Sequence, residues 1–355
     1  MLTKQDSIPS KKKKLFLTIF IFVLLFIIST KYWKEGFGNL QVNTYWRADF
    51  ENKDVIIFTL PPHPHNQTLK YESSLCSSPN IPIKPPFYNH IRCPQKPIVT
   101  VRQLGRLGNQ MYEYISVWAI AKNTGHEPYV PSCMIHELGK IFQNLTVPPL
   151  SYLAYCNTEN YPINVKADMI DHFNGSMLLP SYAQIPKYIA HLVSEVRQIF
   201  QFQEYLIEEG QRQLHHASKG VKNITYVGVH VRRTDYNRHL NVLYHAIMVK
   251  PDFFLRQMDL LRNKYKPIMF VVVSDDHEWC ERELHGDDVV VIRNNSPEQD
   301  LAIMAACNHS IIDYGTFGMW GAILSGGDTF VYNLTNSYDA AFEMASLLPN
   351  WHIAM

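Results

Sequence analysis

From residue 225 onward the chain alternates short β-branched runs with helical segments, and this alternation limits its fold more tightly than any other feature. Residues 225–231, 268–273, 289–292, 310–312 and 329–332 read as strands, and 251–264, 298–306 and 317–324 carry helical spacing. Strands this continuously apolar are buried on both faces, which predicts an α/β fold built on a doubly wound parallel sheet. A similar texture begins after Pro97. Residues 98–101 predict a strand, LGRLGNQ at 104–110 a glycine loop and 111–122 a helix, with further helices expected over 134–143 and 185–214. Because the alternation restarts near residue 221, two Rossmann-type domains facing across a cleft are expected, 97–220 and 221–355.

The N-terminal segment follows a different physics. Residues 15–30, LFLTIFIFVLLFIIST, hold no charge, with lysines at 11–14 before them and Lys31, Tyr32 and Trp33 after. The run is slightly short of the ~20 residues that span a typical bilayer, and thin early-secretory membranes and snorkelling lysines make up the difference. The lysine excess assigns the preceding residues to the cytosol. Ile28, Ser29 and Thr30 lack the small-x-small pattern of a cleaved signal peptide, so an uncleaved anchor is expected. The reading is a cytosolic tail at 1–14, a transmembrane anchor at 15–30, and a proline-rich stem and N-terminal extension at 31–96 with one strand candidate at 55–60.

Lumenal exposure has two further signals. N-x-S/T sequons at Asn66, Asn144, Asn174, Asn223, Asn294 and Asn333 are glycosylation candidates, with one more at Asn308. Six cysteines, at 76, 93, 133, 156, 280 and 307, form an even set without a CxxC pair, which favours two or three disulfides over a zinc site. Their pairing stays open. The formal charge of +1 provides neither the field nor the basic, aromatic platform that a nucleic-acid partner needs.

Four motifs carry chemistry. HVRRTDY at 230–236 follows the strand 225–231, and ligands in open α/β sheets bind beyond strand carboxyl ends. Adjacent guanidinium groups there suit an oxygen-rich anion, although an Arg232–Asp235 pair alone would suit a solvated loop equally well. DYGTFGMW at 313–320 turns from a strand into a helix through Gly315 and Gly318. It reads as a phosphate cradle without a P-loop lysine, or as an ordinary tight turn. GRLGNQ at 105–110 repeats the strand–loop–helix logic without the full dinucleotide pattern, and Asn109 and Gln110 suit a helix cap as well as a sugar contact. In SDDHEWC at 274–280, Asp275 and Asp276 are adjacent on one short turn with no third ligand at metal spacing, so ribose or helix-cap roles are expected and no metal.

Taken in order, GRLGNQM at 105–111, HVRRTDY at 230–236, SDDHEWC at 274–280 and DLAIMAACNHSIIDYGTFGMWGA at 300–322 resemble the galactoside α1,2-fucosyltransferase family, glycosyltransferase family 11-like, over roughly residues 97–335. The resemblance implies a GT-B-like pair of Rossmann-type domains, GDP-fucose as donor substrate, inversion at the fucose anomeric carbon, a galactose-terminated glycan acceptor and no required cofactor. It implies that Arg232 binds the β-phosphate, that Arg233 and His230 line the same pocket with His230 nearer the guanosine, and that Asp300 accepts from guanine. Thr316, Phe317 and Gly318 would wrap the pyrophosphate, Gly108 and Asn109 would close the cleft from the acceptor side, and Asp275 would join the donor site. Asp235 is the nearest candidate for a general base; a dissociative path needing little base is equally compatible. Thr234 stands where many α1,2 members have glycine, and HVRRTD is shared with α1,6-fucosyltransferases, which lack GRLGNQM. The short tail and single anchor also resemble a Golgi glycosyltransferase, type II and single-pass. A fucosyltransferase of another linkage or acting on protein, and an inactive homologue binding glycans at the membrane, are the competing readings.

Overall fold

The computed structural model describes residues 66–77, 93–156, 161–334 and 339–355. The expected cytosolic tail, anchor and 55–60 strand lie outside these residues. Among the described residues no helix is long and apolar enough to cross a membrane.

Two parallel sheets form the body of Pro62–Met355, which is one compact unit. The first has four very short strands, β1 (Ile98–Thr100), β2 (Glu127–Pro128), β3 (Ile163–Asn164) and β4 (Met177–Leu178), in the order β2-β1-β4-β3. Its helices are α1 (Asn66–Leu75), α2 (Leu107–Thr124), α3 (Ser132–Leu138), α4 (Pro186–Ile189), α5 (Val193–Ile199) and α6 (Glu204–Ala217). The second sheet has six strands: β5 (Thr225–Val231), β6 (Ile268–Ser274), β7 (Val289–Val291), β8 (His309–Ile312), β9 (Thr329–Tyr332) and β10 (Trp351–Ala354). With them run α7 (Pro251–Lys264), α8 (His277–Glu283), α9 (Pro297–Ala306), α10 (Thr316–Ser325) and α11 (Ala340–Ala345).

The second sheet runs β10-β9-β8-β5-β6-β7 with every neighbour parallel. Counted from β5, that is the 3-2-1-4-5-6 order of the doubly wound fold, and its direction reverses between β5 and β8. The central strands are buried on both faces, as their apolar runs require: Val229 lies in register with Val272 on one side and Ile311 on the other, all three fully buried. A ligand site at such a sheet belongs beyond the carboxyl ends of β5 and β8. HVRRTDY and DYGTFGMW begin there.

One hydrophobic core joins the two sheets, running from Val99, Met111 and Tyr112 to Val271, Ile312 and Met319. Trp320 of α10 is its largest fully buried side chain. The indole donates to the Gly108 carbonyl at 2.8 Å and meets Tyr112 and Phe200 edge-on at 5.5 and 5.3 Å. A second cluster packs α7 on the other face through Phe254, Met258, Phe270 and Val272. The disulfides Cys76–Cys133 and Cys93–Cys156 tie α1 and its sequel to the first sheet. Cys280 and Cys307 stay as buried thiols that burial pushes up to about 12, protonated and inert.

The helix expected over 185–214 is instead α4, α5 and α6, with a 3-10 turn at Ala190–Leu192 and a break after Ile199. At the break Phe200 and Phe202 turn inward onto Phe142, at 4.8 and 5.1 Å, and Phe142 pairs with Phe202 as an isolated bridge. The helix expected over 134–143 stops at Leu138 for the same reason: Phe142 leaves the helical path to join this cluster.

Candidate active site

Asp313, at the end of β8, organises the switch point. Its buried carboxylate accepts the Arg232 N–H at 2.6 Å and the Tyr314 N–H at 2.8 Å, and stands 3.1 Å from His230 Nδ1. The two central strands are thus locked together where they end, and the chain leaves β5 through Arg232.

Arg232 is held by two carboxylates. Nη1 reaches Asp275 Oδ2 at 2.8 Å and Nη2 bonds Asp235 Oδ1. Three of its five N–H donors remain for a ligand. Asp275 also accepts from the Arg233 N–H at 2.8 Å and the Thr234 hydroxyl at 2.5 Å. Burial would raise its pKa, but these bonds and the Arg232 and His230 charges outweigh it and hold the carboxyl below its usual range. Asp275 therefore clamps the arginine motif. Asp276 accepts the Trp279 N–H at 3.1 Å and caps α8, as expected of one of this pair. Arg233 lays its guanidinium on the Trp279 ring, 3.9 Å from the centroid, with Asp276 at 3.5 Å.

The glycine motifs face one another. A Cβ on Gly108 would lie 2.7 Å from Thr316 Oγ1 and 2.9 Å from the Phe317 nitrogen, so only glycine lets the start of α2 touch the start of α10. Asn109 Oδ1 accepts from the Thr316 hydroxyl at 2.9 Å and from Gln184 at 3.1 Å, joining three loops. The space beside Gly318 is filled by His230, whose Nδ1 would lie 2.5 Å from an added Cβ, so the glycine makes room for the imidazole. Phe317 packs 5.5 Å from the same ring. Gly315, at φ +84°, needs glycine, and its N–H goes to buried Asp339 at 2.9 Å.

Asp300 is the fourth residue of α9, behind a Ser296–Gln299 capping box. Burial pushes its carboxyl from 3.8 up to about 6, offset in part by the 3.0 Å bond from Asn295 and the charges of His277 and His230. The structure thus brings His230, Arg232, Asp235, Asp275, Asp300, Thr316, Phe317, Gly318, Gly108 and Asn109 to one edge of the second sheet and the loops facing it.

Sequence reasoning missed Arg106, Asp339 and Glu113. Glu113 on α2 is fully buried; one oxygen accepts the Leu104 N–H at 3.0 Å and the other has no partner. Burial pushes it from 4.5 up to about 8. Between those values the folded chain holds a proton that the unfolded chain releases, so this group lowers stability as pH rises through the window. Unfolding titrations at pH 5 and 8 should show Glu113→Gln gaining relative to wild type at the higher pH, by on the order of 4 kcal/mol. A mutant–wild-type difference independent of pH would contradict the assignment.

Residues 66–354 match the profile of Glycosyl transferase family 11. This chain belongs to glycosyl transferase family 11. Among curated relatives of this family 11 chain, galactoside 2-alpha-L-fucosyltransferase SEC1 of Bos taurus is 33% identical over 280 residues, 75% of either chain. The Sec1 enzyme of Mus musculus is 32% identical over 289 residues, 78% of this chain and 77% of its own. Among solved structures, NodZ alpha-1,6-fucosyltransferase soaked with GDP-fucose is 13% identical with a TM-score of 0.43, covering 68% of this chain and 97% of that one.

Proposed function

We propose that this glycosyltransferase moves L-fucose from GDP-fucose, with inversion, to the 2-hydroxyl of a terminal galactose on a glycan. One observation carries the reading: Arg232 is presented at the switch point of a doubly wound parallel sheet, oriented by Asp275 and Asp235 with N–H donors left over. Relatives named galactoside 2-alpha-L-fucosyltransferases supply the acceptor and the linkage. The residues around 97–220 and 221–355 then act as a GT-B-like pair, the second holding the donor and the first facing the acceptor.

The donor's diphosphate lies between Arg232 and the start of α10, where Thr316, Phe317 and Gly318 supply helix N-terminal N–H groups. Charge develops on the β-phosphate as GDP leaves, and Arg232 stabilises it. His230 and Asp300 receive the nucleoside. GDP-fucose is a substrate, and Arg232 supplies the counter-charge to its diphosphate.

The anchor at 15–30 makes this a single-pass Golgi membrane protein with its catalytic region in the lumen. Supporting that reading are the two disulfides and the sequons, of which Asn144, Asn174, Asn223, Asn294 and Asn308 are exposed and Asn333 is half-buried.

Asp300 binds guanine only as a carboxylate, so affinity for GDP is full above its pKa and lost below it. Calorimetric titration should find GDP binding steady above about pH 7 and weakening toward tenfold per unit below about pH 6. Asp300→Asn should bind weakly at every pH; an Asn variant that keeps the wild-type pH profile would locate the guanine elsewhere.

A further inference from the structure

Asp235 stands between arginines of two motifs far apart in the chain, Arg232 of HVRRTDY and Arg106 of GRLGNQ. Oδ1 accepts from Arg232 and Oδ2 from Arg106 Nη2 at 3.1 Å, a contact that spans 129 residues of chain. Arg106 precedes α2 in extended conformation and makes no side-chain cap bond to it. The side chains are 77% and 51% exposed, and an ion pair that open contributes ~0–1 kcal/mol to stability. The loop does not depend on it either, because Gly108 and Asn109 already fasten GRLGNQ to α10. The pair is thus neither a stability device nor a loop fastener, and what remains is its effect on where the Asp235 carboxylate rests.

We propose that Arg106 is a positioning residue for fucosyl transfer: it retains Asp235 at the cleft mouth while the donor's diphosphate draws on Arg232. The proposal rests on the donor-site reading above. An arriving diphosphate repels an exposed carboxylate and competes for its guanidinium partner, and a second cation on the acceptor side holds the carboxylate in place. A carboxylate has about four lone-pair sites, so one paired to Arg106 can still accept from a hydroxyl. In the step, the galactose oxygen bonds to the fucose anomeric carbon and the bond from that carbon to the β-phosphate oxygen breaks. Its electron pair leaves on GDP, and the hydroxyl proton passes to Asp235. The charged and titratable groups facing Asp235 are Arg232, Arg106 and His239.

The test measures kcat, both KM values and the pH profile for the full chain as wild type, R106A, R106K, D235N and R106A/D235N. R106A should lose roughly 10- to 100-fold in kcat, with the GDP-fucose KM and the melting temperature close to wild type. R106K should recover part of the rate. The double variant should be no slower than D235N. An R106A at the wild-type rate, a loss confined to the donor KM, or losses that multiply in the double variant would each overturn the role. If the wild type binds GDP but transfers no fucose, the functional reading falls and takes this one with it; an active wild type with an indifferent R106A removes only Arg106.

Discussion

Replacing Arg232 by alanine is expected to reduce fucosyl transfer by on the order of 10³-fold while leaving a folded protein. The guanidinium pairs with both Asp275 and Asp235 at the switch point, where the leaving diphosphate is proposed to lie. Its removal takes away transition-state stabilisation and leaves the two carboxylates to repel the donor, so the GDP-fucose KM should rise as well. Fold is spared because β5 and β8 are joined through the backbone N–H of Arg232, which alanine keeps. Arg232→Lys preserves charge without the fork geometry and should recover only a small part of the rate. Steady-state kinetics alongside circular dichroism check the claim; a folded Arg232→Ala enzyme within about tenfold of wild type would remove Arg232 from the mechanism.

The largest effect on stability is expected at Trp320. Truncating a fully buried tryptophan to alanine costs about 3–5 kcal/mol, and here it also strips the Gly108 carbonyl of its 2.8 Å partner. That is a large share of the ~5–15 kcal/mol that holds a typical domain. Because the indole lies between α2 and α10, its loss should loosen the meeting of the two glycine motifs before it reaches either outer face. Denaturant unfolding should show a midpoint well below wild type, with Trp320→Phe in between. A Trp320→Ala variant as stable as wild type would mean that the core is not continuous across the two sheets.

How much of this was legible in the sequence follows from what each element is made of. The strands β5, β6 and β8 carry β-branched apolar residues that are buried at nearly every position, β9 alternates buried with half-buried residues, and their composition and length single them out. The strands β2, β3 and β4 have two residues each, too few for any period to register, and they exist because the sheet around β1 supplies their partners. The breaks at Phe142 and Phe200 escaped because helical spacing records which residues are apolar and not which aromatic ring they meet. β10, Trp351–Ala354, has only its first residue fully buried and pairs with β9 in register, a context no local pattern contains.

The site divides in the same way. Arg232, Asp235 and the GTFG turn lie in contiguous motifs beside strands, so their place at the strand ends was readable. That His230 fills the space beside Gly318 was not readable, since a glycine in a sequence does not reveal what fills the place of its missing Cβ. Asp339 lies 24 residues from the Gly315 N–H that it holds, outside any motif. Arg106 lies inside one, and the signal was available: a lone arginine among GxxGNQ at a loop facing the HVRRTDY strand end.

The measurement that tests the central claim most directly is transfer by the full chain from GDP-fucose to a panel of galactose-terminated glycans, with and without EDTA, followed by linkage analysis of the product. Fucose on the galactose 2-hydroxyl, in α configuration and undiminished by EDTA, is the result predicted here. Fucose on any other hydroxyl would contradict the linkage, and a chain that neither transfers fucose nor binds GDP saturably would contradict the donor site itself.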